Sequence, residues 1–137
     1  MRQRQTLDVF LDKAYDDGFA LLLEVRDFLR DQKAAIDASL SPNERVLLTQ
    51  ELTRMTRRLT DIMAWLLLCR AVAAGEISQQ ESLSHVATRL DDELLDEPIA
   101  AHRKLPLNVR SMIGRTRRLY GDVVKLKEVT DSRADAL

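Results

Sequence analysis

A chain of 137 residues with 45 % hydrophobic and 31 % charged side chains is sized for one folded domain, which excludes wholesale disorder and a pair of ordinary domains. Four glycines and three prolines are too few to make the turns of a β sandwich or barrel, so the chain reads as all-α. A net charge of -1 gives no bulk attraction for nucleic acid or anionic lipid, and one cysteine forms no internal disulfide.

The first element spans Leu7 to Ile36. Leu11, Ala14, Gly18, Leu21, Val25 and Phe28 follow in alternating steps of four and three, a heptad seam. Tyr15, Leu22, Leu29 and Ile36 form a second row seven residues apart, which widens the stripe so that it faces two neighbours. Small residues at Ala14 and Gly18 let a neighbouring helix come close. The helix is expected to end near Ser39, because Ser41-Pro42-Asn43-Glu44 combines a capping hydroxyl, a proline at N1 and a glutamate at N3. So short a connection returns the second helix antiparallel to the first.

That second helix carries Leu48, Leu52, Met55, Leu59, Ile62, Leu66, Cys69 and Ala73 on its seam and stops at Gly75. Ser78-Gln79-Gln80-Glu81 is a further capping box, opening a short third helix through Leu83, Val86, Leu90 and Leu94. The acidic run at 91–97, closed by Pro98, reads as the start of a linker over 96–105. Pro106 opens a last helix, whose seam of Val109, Met112, Thr116, Leu119, Val123 and Leu126 reaches about Lys127. These elements predict an antiparallel bundle of three long helices and one short one, a single domain over 1–129 with a frayed polar tail over 130–137.

The second helix is uneven. Glu44, Arg45, Glu51, Arg54, Arg57, Arg58 and Asp61 lie off the seam in its first half, whereas every residue from Ile62 to Cys69 is apolar. A helix that is apolar all round is buried all round. Two readings cover Trp65, Leu67 and Leu68: the short helix folds over them, or a second copy of the chain packs there in an isologous homodimer.

Catalytic and metal-binding patterns are missing from the sequence. His85 and His102 have no glutamate three residues before them, so the Glu-x-x-His arrangement of di-metal bundles is not present. Cys69 lies on an apolar seam, where burial raises a thiol pKa and blunts its reactivity. No phosphate loop, nucleophile elbow or calcium loop occurs. The expectation is a non-enzyme with no cofactor and no metal. No signal peptide opens the sequence and no apolar run is long enough to span a membrane, so a cytoplasmic setting is expected. Arg54, Arg57 and Arg58, and then Arg110, Arg115, Arg117 and Arg118, are solvated faces or, as bidentate forks, contacts for an acidic protein surface.

The stretch from Leu52 to Ser78 resembles the signature of the alphaproteobacterial RcdA-like family, the regulators of CtrA degradation. The resemblance rests on Arg54-Met55-Thr56-Arg57-Arg58-Leu59, Ala64-Trp65-Leu66-Leu67-Leu68 and Arg70-Ala71-Val72-Ala73-Ala74-Gly75-Glu76, with Leu105-Pro106 and Arg118-Leu119-Tyr120 later in the chain. It implies a small helical-bundle dimer without catalytic activity. Such a protein is an adaptor that helps deliver cell-cycle regulators to the ClpXP protease together with a response-regulator-like partner. On this reading Arg54, Arg57, Arg58 and Arg70 are candidate partner contacts, and Trp65, Leu67 and Leu68 a dimer or partner seam. The alternative is a DNA-associated or other helical regulatory protein, although six aromatics, most at core spacing, give little for base stacking.

Overall fold

The computed structural model describes residues 2–83 and 104–135, and every regular element among them is helical. Helix α1 spans Arg2–Asp31, α2 Lys33–Ser39, α3 Pro42–Ala73, α4 Gln79–Leu83 and α5 Leu107–Asp135. The three long helices α1, α3 and α5 each pack against the other two, and α4 lies against α3. Their shared core is built from the expected seams: Ala14, Leu21, Val25 and Phe28 of α1, Leu48 to Leu66 of α3, and Val109, Met112, Leu119 and Val123 of α5. Each fully buried leucine, valine or phenylalanine there contributes roughly 1.5–3 kcal/mol relative to exposure.

Local chemistry sets the ends. Ser41 Oγ accepts the Glu44 N–H at 3.3 Å while Glu44 Oε1 accepts the Ser41 N–H at 2.9 Å, the reciprocal box that starts α3. At its other end Gly75 has φ +75°, and two reversed bonds close the helix: the Gly75 N–H donates to the Val72 carbonyl at 3.0 Å and the Glu76 N–H to the Ala71 carbonyl at 2.9 Å. Ser78 Oγ then accepts the Glu81 N–H at 3.0 Å to begin α4. At Gly18 helices α1 and α3 pack closely: a Cβ there would lie 2.9 Å from Met63 Sδ.

Two boundaries differ from the sequence reading. The expected first helix is broken at Gln32, whose φ of −122° tilts the chain into α2. Asn108 Nδ2 donates to Gln32 Oε1 at 2.8 Å, so the break is tied to the first turn of α5. Helix α5 runs through Asp135, about two turns past Lys127. The polar stretch read as a tail is therefore helical there, held by a Lys127–Asp131 ion pair at 2.6 Å and by Thr130 Oγ1 donating to the Leu126 carbonyl at 2.8 Å. The expected continuation of the third helix through Val86, Leu90 and Leu94, the acidic run at 91–97, the linker up to residue 103 and both histidines lie outside the described residues, whereas Leu105, at the end of that linker, is buried in the core.

Candidate partner-binding surface

Helix α3 carries all seven residues singled out for partner or dimer contact, and at 3.6 residues per turn it cannot present them together. Arg54 and Arg70 are 16 residues apart, about 24 Å along the axis and about 160° around it. Arg54 is spent partly on its own helix, with Nη1 donating to Glu51 Oε1 at 2.7 Å. Arg58 departs from the expected solvated face: it is 2 % exposed, inside the bundle. A signal for this lay in the sequence, since Glu51, Arg58 and Trp65 recur every seven residues as a second inward row, and Glu51 is buried as well. Arg57 is exposed and borders a surface groove.

The apolar half of α3 divides in a similar way. Ile62, Met63, Trp65 and Leu66 are buried within the single chain, with Trp65 4 % exposed, so a second copy is not required to cover the tryptophan. Leu68 is half-buried and Leu67 is 51 % exposed. Cys69, half-buried on the seam, has its thiol pushed up to about 12, chiefly by burial, so it is protonated at neutral pH. Among the described residues no three His, Cys, Asp or Glu side chains gather as a metal-binding group.

Two features follow from the α1/α3 edge. At one end the Arg70 guanidinium sits 3.7 Å from the centroid of the Tyr15 ring, and Tyr15 stacks on Phe19 at 6.3 Å with the planes 10° apart. Arg70 Nη2 also lies 3.5 Å from Asp12 Oδ1. The sequence reading used Tyr15 only as a core row and passed over Phe19, one turn further on and largely exposed. Farther along the edge a groove of about 490 Å³ is lined by Leu29, Lys33, Leu52, Thr49, Thr53, Thr56, Arg57, Thr60 and Asp61. Thr53, Thr56 and Thr60 each donate their hydroxyl to the carbonyl four residues back at 2.8 Å. Their hydrogen-bond donors are thereby consumed inside the helix. Burial raises the Asp61 pKa above the ordinary carboxylate value, opposed by the charge of Arg57.

The α5 arginines are largely engaged. Arg115 forks onto Glu24 of α1, with Nη1 to Oε2 at 2.7 Å and Nη2 to Oε1 at 2.5 Å, which holds the Glu24 carboxyl below its ordinary value. Arg118 Nε donates to the Gly114 carbonyl at 3.4 Å.

A family model described as a protein of unknown function, DUF1465, matches residues 2–136. The crystal structure of RcdA from Caulobacter crescentus CB15 is similar, with a TM-score of 0.66 and 26 % sequence identity over 85 % of this chain and 87 % of that chain. No curated protein matches. No helix among the described residues is long and apolar enough to cross a membrane.

Proposed function

The chain belongs to the DUF1465 family, and on that premise we propose that it is a non-catalytic adaptor that recruits cell-cycle regulators to the ClpXP protease for regulated degradation. The observation that carries this reading is the likeness to RcdA across 85 % of the chain, together with the RcdA-like residue block from Leu52 to Ser78. The adaptor acts in the cytoplasm as a homodimer, with no cofactor, metal or nucleic acid, and binds the protease, a response-regulator-like partner and a client. A rigid bundle with exposed arginine and apolar groups suits that task, because recognition needs complementary surfaces and no activated side chain.

Arg70, with Leu67 one turn before it as an apolar anchor, is the proposed contact for an acidic partner surface, and Arg57, with Arg54 one turn before it, is a second and separate one. Arg70 has the composition of an interaction hot spot around it: an arginine, a tyrosine and a half-exposed phenylalanine in one column. Arg58 is set aside as a contact because its burial makes a charge reversal there a folding defect.

The test is an affinity pull-down from native extract with wild type and Arg70→Glu, read by mass spectrometry, followed by degradation of the captured clients by purified ClpXP. The expected result is co-purification of the protease machinery, faster client loss with the wild-type chain, and loss of both in the variant at unchanged helicity. Client degradation at the same rate with and without the chain would refute the proposal.

A further inference from the structure

The groove beside α3 suits a helix and not a strand. It reaches from Thr49 to Asp61, about 18 Å along the helix axis, with the buried Leu52 at its base and Leu29 of α1, 44 % exposed, in its far wall. The walls are helices, whose backbone donors and acceptors are paired internally, so no sheet edge is offered to an incoming chain. Thr53, Thr56 and Thr60 spend their hydroxyl donors on carbonyls of α3. An extended peptide laid here would leave its own N–H and C=O groups against these walls without partners, which is costly once water is excluded. An α-helix brings its backbone bonds with it, and about 12 residues of helix match the length of the groove.

Charge narrows the choice of helix. The Lys33 ammonium is taken by Asp37 at 2.6 Å. Arg57 is exposed and, among the described residues, makes no ion pair, so it is the cation that the groove offers. A carboxylate is its natural partner, because the guanidinium fork can take both oxygens at once. Asp61, half-buried one turn further along α3, repels a second carboxylate and so confines the acid to the stretch beside Arg57.

We propose that this groove seats an amphipathic α-helix of a client or partner protein, with aliphatic residues one turn apart over Leu29 and Leu52 and an acidic residue on Arg57. The proposal rests on the adaptor reading above and adds the shape and chemistry of what the Arg57 contact receives.

The test begins with the full-length chain carrying photoreactive p-benzoylphenylalanine in place of Thr53, irradiated in native extract, with the cross-linked segments sequenced. Segments with aliphatic residues three and four apart and an Asp or Glu beside them are expected. The captured segment is then made as a fluorescent peptide, and its affinity for wild type, Thr53→Trp, Arg57→Glu and Arg70→Glu is read by anisotropy. Thr53 and Arg57 are exposed, so both variants should keep wild-type helicity. Thr53→Trp fills the groove and Arg57→Glu reverses its charge, so each is expected to weaken binding by about 10-fold or more, whereas Arg70→Glu, outside the groove, should bind within about 2-fold of wild type. The peptide should gain helical circular dichroism when bound. Equal affinity for all four chains, a bound peptide without helix, or cross-links that are absent or confined to this chain itself would overturn the proposal. Client degradation by ClpXP accelerated as strongly by Thr53→Trp as by wild type would overturn the groove and leave the adaptor reading standing. Degradation indifferent to the wild-type chain would overturn the adaptor reading, while the peptide affinities still decide the groove.

Discussion

Replacing Trp65 by alanine and, separately, Leu67 by alanine separates the two ways in which the apolar half of α3 can be covered. Trp65 is 4 % exposed within one chain, so its truncation removes a large buried ring and leaves a cavity, a loss of about 3–5 kcal/mol. Leu67 is 51 % exposed, and half of a leucine's burial amounts to about 1 kcal/mol or less. An unfolding entropy of about 2.1 cal/mol/K per residue makes each kcal/mol worth roughly 3.5 °C in a chain of this length. Trp65→Ala should therefore melt roughly 10–17 °C below wild type, and Leu67→Ala within about 4 °C of it. Far-UV circular dichroism is the assay, run at one low protein concentration, because Trp65 is the sole tryptophan and its loss removes the fluorescence signal. In the wild type that fluorescence gives a second reading: blue-shifted emission that does not move on dilution. Equal losses in the two variants, or emission that shifts red as the protein is diluted, would refute coverage of the tryptophan by its own chain.

Three further outcomes are expected. Gly75→Ala should cost about 1–2 kcal/mol although a Cβ there meets nothing within 4 Å, because φ of +75° is strained for any L side chain; urea midpoints at equal slope measure it. Glu24→Gln should cost about 1 kcal/mol or less at pH 7, since the Glu24–Arg115 pair is partly solvated. The carboxyl is depressed in the folded state, so its contribution is present above the ordinary value of 4.5 and fades as pH falls through the folded-state value; the gap between wild-type and variant urea midpoints should narrow steadily as pH falls below 4.5. Cys69, half-buried and with its thiol pushed up to about 12, should react with a thiol-specific disulfide reagent at pH 8 far more slowly in the folded chain than in urea, and equal rates in the two would contradict its placement.

Much of the architecture was legible because it depends on local periodicity. The alternation of three and four marks the inward side of a helix whatever it packs against, and it placed Val25, Phe28, Leu48, Leu59, Met112 and Val123 in the core. Ser41 with Glu44, and Gly75, mark helix ends through bonds that span only a few residues, so no tertiary information was needed for them. The break at Gln32 was not legible, because it goes with a contact to Asn108, 76 residues away. Arg58 was half legible: its heptad spacing to Glu51 and Trp65 pointed inward while its charge pointed outward.

The amino-acid sequence alone determined that the chain is an all-α hairpin with a further long helix, where α3 starts and stops, and which side of each long helix is apolar. Those properties follow from hydrogen bonds and side-chain spacing within a single turn or two. The tertiary structure decided which charged groups remain available: Arg58 is enclosed, Arg115 is clamped to Glu24, Arg70 is laid over Tyr15, and Arg57 stands beside Asp61 at an open groove. Charge availability depends on which helix lies alongside and at what register, and no periodicity in one helix contains that information.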